Sequence, residues 1–199
     1  MFNNIKAIIF NTFMTPFEAF FLKKRRKNLI SQAKGNILEV AAGTGVNLDY
    51  YNIDNIDSLT LLDLEFNKFI KNKDLNKSIK INYIEGNMES MPFEDNHFDC
   101  IVSTLSLCSV DNPKKALSEF KRVLKPKGKF ISIEHIIPPN SKKYQNIANR
   151  FNSTWHKIGK CNINRETFKT IKECGFKELH SELFGKECFI FILGIYINE

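Results

Sequence analysis

Apolar residues gather in short runs separated by stretches of helix-spaced or polar residues, an alternation that predicts an α/β fold. Asn36-Ile-Leu-Glu-Val40 is an apolar strand that carries one acid and ends in the turn Ala41-Ala-Gly-Thr-Gly45. Ser58-Leu-Thr-Leu-Leu-Asp63, Ile79-Lys-Ile-Asn-Tyr-Ile84, Phe98-Asp-Cys-Ile-Val-Ser103 and Gly128-Lys-Phe-Ile-Ser-Ile-Glu134 read as the second to fifth strands. Before the fifth, Asn112 caps a helix begun by Pro113, in which Ala116, Leu117, Phe120, Val123 and Leu124 recur at helical spacing until Lys125-Pro126 stops it. Near the start, Thr15-Pro-Phe-Glu18 reads as a capping box, and Phe17, Phe20 and Phe21, with Leu22 at the margin, give that helix an apolar face.

Regularity lapses over 135–159, where Pro138-Pro139, Tyr144, Phe151, Trp155 and His156 fall without a clear period. We expect an insertion there, spanning 135–163 on the acceptor side, because ligand contacts gather in such segments at the carboxyl ends of strands. Asn164 is placed to cap a helix running to Cys174, with Gly175 as its stop. Two last strands follow, over 177–183 and 187–196, joined near Gly185. Cys188-Phe-Ile-Phe-Ile-Leu-Gly-Ile-Tyr-Ile197 is the longest apolar stretch; it is too short to span a bilayer as a helix and reads as a buried strand.

Composition narrows the classes. The 199 residues are 43% hydrophobic and show no repeat or linker, so one core and one domain over 1–199 are expected, with 1–34 as an N-terminal helical cap. The N-terminus lacks the pattern of a secretory signal, and the five cysteines are scattered, odd in number and without C-x-x-C spacing. A reduced, cytoplasmic setting and no metal are the expectations. The net charge is +7, and Lys23-Lys-Arg-Arg-Lys27 is wholly basic. That block fits a helix covering a cofactor cleft, the favoured reading; the alternatives are a weak contact with an anionic membrane surface, peripheral to it, or with RNA.

The chemistry begins at the turn. Gly43 and Gly45 let the backbone approach a ligand, since glycine tolerates positive φ and has no Cβ. Asp63 ends the next strand, about 20 residues on, where doubly wound folds grip a nucleotide ribose through both of its hydroxyls. Leu38-Glu-Val-Ala-Ala-Gly-Thr-Gly45, Gly86-Asn-Met-Glu-Ser-Met-Pro-Phe93, Phe98-Asp-Cys-Ile-Val-Ser103 and Val123-Leu-Lys-Pro-Lys-Gly-Lys129 together resemble class I S-adenosylmethionine-dependent methyltransferases, over residues 30–135. Thr104-Leu-Ser-Leu-Cys-Ser-Val110, Glu134-His135, Trp155-His156 and Gly159-Lys-Cys-Asn-Ile-Asn-Arg-Glu166 look like the thiol methyltransferases that are membrane-associated in animals, and their bacterial relatives. Quinone C-methyltransferases are similar more distantly.

The resemblance implies a Rossmann-like, doubly wound, seven-stranded sheet, mostly parallel, closed by a C-terminal antiparallel hairpin. It implies S-adenosylmethionine as cofactor and S-adenosylhomocysteine as product. Glu39, Ala41, Gly43 and Gly45 would shape the methionine end of the pocket; Asp63 would hold the ribose, with Leu64 beside it; Asn87 and Met88 would face the adenine; Ser103, Thr104 and Leu105 would floor the pocket near the sulfonium. Many relatives carry Asp where this chain has Asn87, whose amide can accept a hydrogen bond but cannot act as a base.

Methyl transfer from a sulfonium is an in-line displacement with a good leaving group, so positioning dominates. A thiol acceptor must lose its proton to become reactive, and His135 or His156 is suited to take or orient that proton. The packing alternative places His135 under the Pro138-Pro139 loop and His156 on the surface of a lid helix. Cys108, just past the fourth strand, reads as a buried structural cysteine. Trp155, Tyr144 and Phe151 suit the wall of an apolar pocket or the rim of the core equally. The expected acceptor is small or lipid-like, a thiol first, then a quinone carbon or a phospholipid amine. RNA methylation fits less well, because Ser103-Thr-Leu-Ser106 stands where an Asn/Asp-Pro-Pro-Tyr motif would hold a planar amine. A non-enzymatic peripheral membrane protein using Phe13, Phe17, Phe20 and Phe21 is a further alternative; an NAD-dependent dehydrogenase is disfavoured by the missing third glycine.

Overall fold

β1 (Gly35–Val40) lies parallel to both β2 (Ile56–Asp63) and β4 (Phe98–Thr104), with Glu39 opposite Leu61 on one side and Val102 on the other. The computed structural model describes residues 22–66, 70, 79–187 and 189–199, so the Thr15 capping box, Phe13, Phe17, Phe20, Phe21 and Cys188 lie outside the described residues. β3 (Ile81–Glu85) adds to β2, and β5 (Leu124–Ile136) to β4, both in parallel. β7 (Phe189–Asn198) runs antiparallel between β5 and β6 (Phe176–Lys186), so the seven strands lie in the order β3-β2-β1-β4-β5-β7-β6. The strand order reverses between β1 and β4, and ligands in such sheets bind beyond the carboxyl ends at that reversal.

Alternation along the strands supplies two cores. Ile37, Leu59, Leu61, Val102, Ile131 and Ile133 face α1 (Lys23–Ile30) through Leu29 and Ile30. Leu38, Val40, Leu62, Ile101 and Phe130 face α2 (Pro113–Val123), whose Ala116, Leu117, Phe120 and Val123 are all buried. Asn112 caps α2 as expected, accepting the Lys115 N–H at 3.1 Å.

Three local expectations are corrected. Residues 135–159 are not irregular: α3 (Lys142–Gly159) is an 18-residue helix capped by Ser141, with Tyr144, Ala148, Phe151 and Trp155 at helical spacing. Its pattern is faint because Ala148 is its only buried hydrophobic residue among those described, and Phe151 is 55% exposed. Asn164 does not cap α4 (Thr167–Glu173); its amide donates to Asn149 Oδ1 at 3.0 Å, while Glu166 holds the cap position. Gly185 lies inside β6 opposite Ile190, and the chain turns at Glu187. A Cβ on Gly185 would run into the Phe189 carbonyl, so glycine is needed there for the close approach of two strands. No described helix is long and apolar enough to cross a membrane.

Candidate active site

The carboxyl ends of β1, β2, β3, β4 and β5 carry most of the residues the sequence singles out. Glu39 sits on β1 facing α1 and is 1% exposed. A buried carboxylate needs partners, and Glu39 accepts from the Tyr51 hydroxyl at 2.7 Å and Asn47 Nδ2 at 3.0 Å. Burial, with the Glu39 carboxylate beside it, pushes the Tyr51 hydroxyl well up and keeps it a donor. Both residues stand on or just after the 3-10 turn Val46–Tyr50 that follows Gly45.

Arg26 completes this cluster. Its guanidinium donates to Asn47 Oδ1 at 2.6 Å and to Thr104 Oγ1 at 3.0 Å, and Asn47 Nδ2 reaches the same hydroxyl at 3.1 Å. The basic block divides by burial: Arg26 is 3% exposed and bonded to Asn47 and Thr104, Arg25 lies over the Phe184 ring and pairs with Glu182, and Lys23, Lys24 and Lys27 are exposed. Part of α1 thus packs into the carboxyl ends of β1 and β4.

The turn after β1 takes left-handed conformations at Ala41, Gly43 and Gly45. A Cβ on Gly45 would meet Leu48 at 2.8 Å and Ile70 at 2.9 Å, so the turn is seated tightly on the core there. Around Gly43 the space is open, the nearest atom being Ala41 O at 3.8 Å. The Gly43 N–H donates to Asp63 Oδ2 at 2.8 Å, which fixes the turn to the end of β2. Leu64, immediately after, is 73% exposed. Asn87 is exposed after β3; its side-chain oxygen accepts the Glu89 N–H at 2.8 Å, and Met88 is half-buried against the α2-side core.

β4 ends with its side chains parted. Thr104 faces Arg26, whereas Ser103 points through the other face to Glu134 Oε1 at 2.9 Å. Leu105, at positive φ, donates its N–H to Ile133 O at 2.7 Å. Glu134 is fully buried and also accepts the Leu107 N–H at 3.2 Å and the Ser106 N–H at 3.3 Å. Burial pushes its carboxyl up to about 7, against those hydrogen bonds.

His135, the next residue, is 6% exposed on the Glu39 and Thr104 face of the sheet and packs edge-on against Phe191 at 5.2 Å. His156 is half-buried on α3. The structure thus brings Glu39, Ala41, Gly43, Gly45, Asp63, Thr104 and His135 to one end of the sheet and sets His156 on a separate element. Cys108 is buried, its thiol toward Leu105 O at 3.6 Å. A cavity of about 300 Å³, lined by Pro138, Pro139, Tyr144, Leu183, Phe184 and Ile190, lies between the loop after β5, α3 and the β6–β7 hairpin; Trp155 and Phe151 do not line it. Among the described residues no group of His, Cys, Asp or Glu is arranged to hold a metal ion.

Sequence reasoning passed over Arg26, Asn47, Tyr51 and Glu134 as structural groups. Glu134 alone had a readable signal, an acid closing an otherwise apolar strand. Asn47 and Tyr51 acquire their role only when β1 brings Glu39 alongside.

The sequence model of a methyltransferase domain family matches residues 38–132. The chain is 32% identical over 175 residues to thiol S-methyltransferase TMT1B of Mus musculus, a match covering 81% of this chain and 71% of that protein. It is 35% identical to the ubiquinone/menaquinone biosynthesis C-methyltransferase UbiE of Rickettsia prowazekii, over 53% of this chain and 46% of that one. A geranyl diphosphate methyltransferase solved in complex with SAM has the same fold at 13% identity, with a TM-score of 0.71, covering 88% of this chain and 84% of its own.

Proposed function

Because the chain belongs to the S-adenosylmethionine-dependent methyltransferases, a family that includes thiol S-methyltransferases, we propose that it transfers the methyl group to the sulfur of a small apolar thiol. The observation carrying the acceptor is the extent of likeness: the thiol enzyme matches 81% of this chain and so reaches past residues 38–132, whereas the quinone enzyme matches 53%. The cavity walled by prolines and aromatic residues suits an apolar acceptor, since small-molecule pockets are mostly apolar with a few polar groups.

The residues present fit the cofactor. Asp63 keeps its second oxygen without a hydrogen bond among the described residues, and we assign it to the ribose hydroxyls. Leu64 exposes an apolar side chain beside it that would contact the adenine, as would Asn87 and the Met88 backbone. The open space at Gly43, between Ala41 and Gly45, would receive the methionine end, with Glu39 on the neighbouring strand. Thr104 and Leu105 form the floor; the Ser103 side chain is committed to Glu134 and contributes through its backbone.

When bound, S-adenosylmethionine supplies an activated methyl group and its leaving group. The protein orients the acceptor, a contribution that reaches about 7–11 kcal/mol in well-aligned reactions. His135 takes the thiol proton in this reading, because it stands on the same face as Glu39 and Thr104; His156 on α3 is the alternative group. The test is methyl-labelled S-adenosylmethionine offered with an alkyl thiol, a demethylated quinol, a phospholipid amine or RNA. Label on the thiol is the expected result. Label only on the quinol, the lipid or the RNA overturns the acceptor.

A further inference from the structure

Two cysteines far apart in sequence meet beside the floor of the cleft. Cys108 lies in the loop after β4, and Cys161 in the segment that leaves α3. Asn162 clamps the two together, its N–H donating to Cys108 O at 2.8 Å and its side-chain amide to the same oxygen at 3.2 Å. The Arg165 guanidinium adds bonds to the Leu107 and Val110 carbonyls on either side. Asn162 follows Cys161 directly, so these bonds hold the Cys161 backbone beside that of Cys108. A disulfide requires its two Cα atoms to come within about 4.4–6.8 Å, and this clamp brings the two cysteine-bearing segments together.

The side chains face each other as well. Both thiols are free, and they lie near enough for each to shift the other's proton. Their surroundings differ in the way that separates a reacting thiol from a resolving one. Cys108 is buried, and its interaction with Cys161, together with burial, raises it well above the usual thiol range. Cys161 is half-buried, and the interaction with Cys108 holds it lower, with Arg165 assisting and burial and Glu134 opposing. A reachable thiolate with a second thiol at its side is the arrangement that oxidises selectively.

We propose that Cys108 and Cys161 are a reversible oxidation site, in which a hydroperoxide oxidises Cys161 and Cys108 closes an intramolecular disulfide. The Cys161 thiolate attacks one peroxide oxygen, the O–O bond breaks, and Cys161 becomes a sulfenic acid as hydroxide leaves and takes up the proton that Cys161 had shed. The Cys108 sulfur then attacks the Cys161 sulfur; the S–S bond forms, the S–O bond breaks, and the departing oxygen leaves as water with the Cys108 proton. Two electrons pass from the two sulfurs to hydrogen peroxide, which ends as two waters. The bond ties the loop that begins at Leu105 to the end of α3, fixing the floor against the acceptor side.

The test uses the purified full chain, treated with hydrogen peroxide at equal concentration, blocked with iodoacetamide and mapped by mass spectrometry without reduction. The expected product is a cross-linked peptide pair containing Cys108 and Cys161, lost on adding dithiothreitol. Cys108→Ser should stop at a sulfenic acid on Cys161 that dimedone traps, and Cys161→Ser should give no disulfide. In the untreated protein iodoacetamide should label Cys161 before Cys108, a measurement that needs no variant. A disulfide joining any other pair, or both thiols remaining open to alkylation after peroxide, overturns the proposal. None of these readouts involves methyl transfer, so the site and the acceptor stand or fall separately.

Discussion

Arg26 and Glu39 are charged side chains with almost no water around them, bridged by one asparagine. Asp63 carries two tasks, holding the Gly43 N–H and, in our reading, the ribose. Asp63→Ala should weaken S-adenosylmethionine binding by about 1.5–3 kcal/mol, the range for hydrogen bonds to a charged group; unchanged affinity by calorimetry would remove Asp63 from the site. Glu134 makes a pH prediction. Its folded carboxyl, at about 7, lies above the ordinary value of 4.5, so between those values the folded protein binds more protons than the unfolded chain. Stability should therefore fall as pH rises from 4.5 to 7, by about 3 kcal/mol in total, and level off above. Urea midpoints across that window check the slope, which Glu134→Gln should flatten. Asp63 and the glycines were legible because their types answer a local need at a fixed spacing. Glu134 was read as a strand end, because its role depends on a loop from the neighbouring strand.

At the scale of elements, spacing reveals what buries a broad stripe and hides what does not. α2 was readable from its Asn112 cap, since its apolar residues bury against the sheet, but it ends at Val123, and Leu124, Lys125 and Pro126 already belong to β5. α3 was missed because its stripe meets little core. The β6–β7 hairpin was foreseen with its turn misplaced, because glycine more often marks a turn than a close approach of strands. Gly185→Ala should lower the melting temperature, costing at least about 1–3 kcal/mol for a strained backbone at φ +109. An unchanged melting curve would mean the hairpin can open without loss.

For the molecule as a whole, the order β3-β2-β1-β4-β5-β7-β6 gathers residues from five strands at one rim. This rim was legible because a strand order that reverses at one point leaves a single crevice, and Gly43, Gly45, Asp63 and Asn87 follow or close the strands that reach it. The acceptor side was not, since it is assembled from the loop after β5, α3 and the hairpin. Arg26→Met should cost about 1.5–3 kcal/mol, the range for hydrogen bonds to a charged group. The same change reports on timing. Arg26 reaches from α1 to Asn47 and Thr104, which stand together only once β1 and β4 have paired. We expect the arginine to close after that pairing, so that its loss leaves the refolding rate almost untouched while the folded protein comes apart many times faster in stopped-flow unfolding.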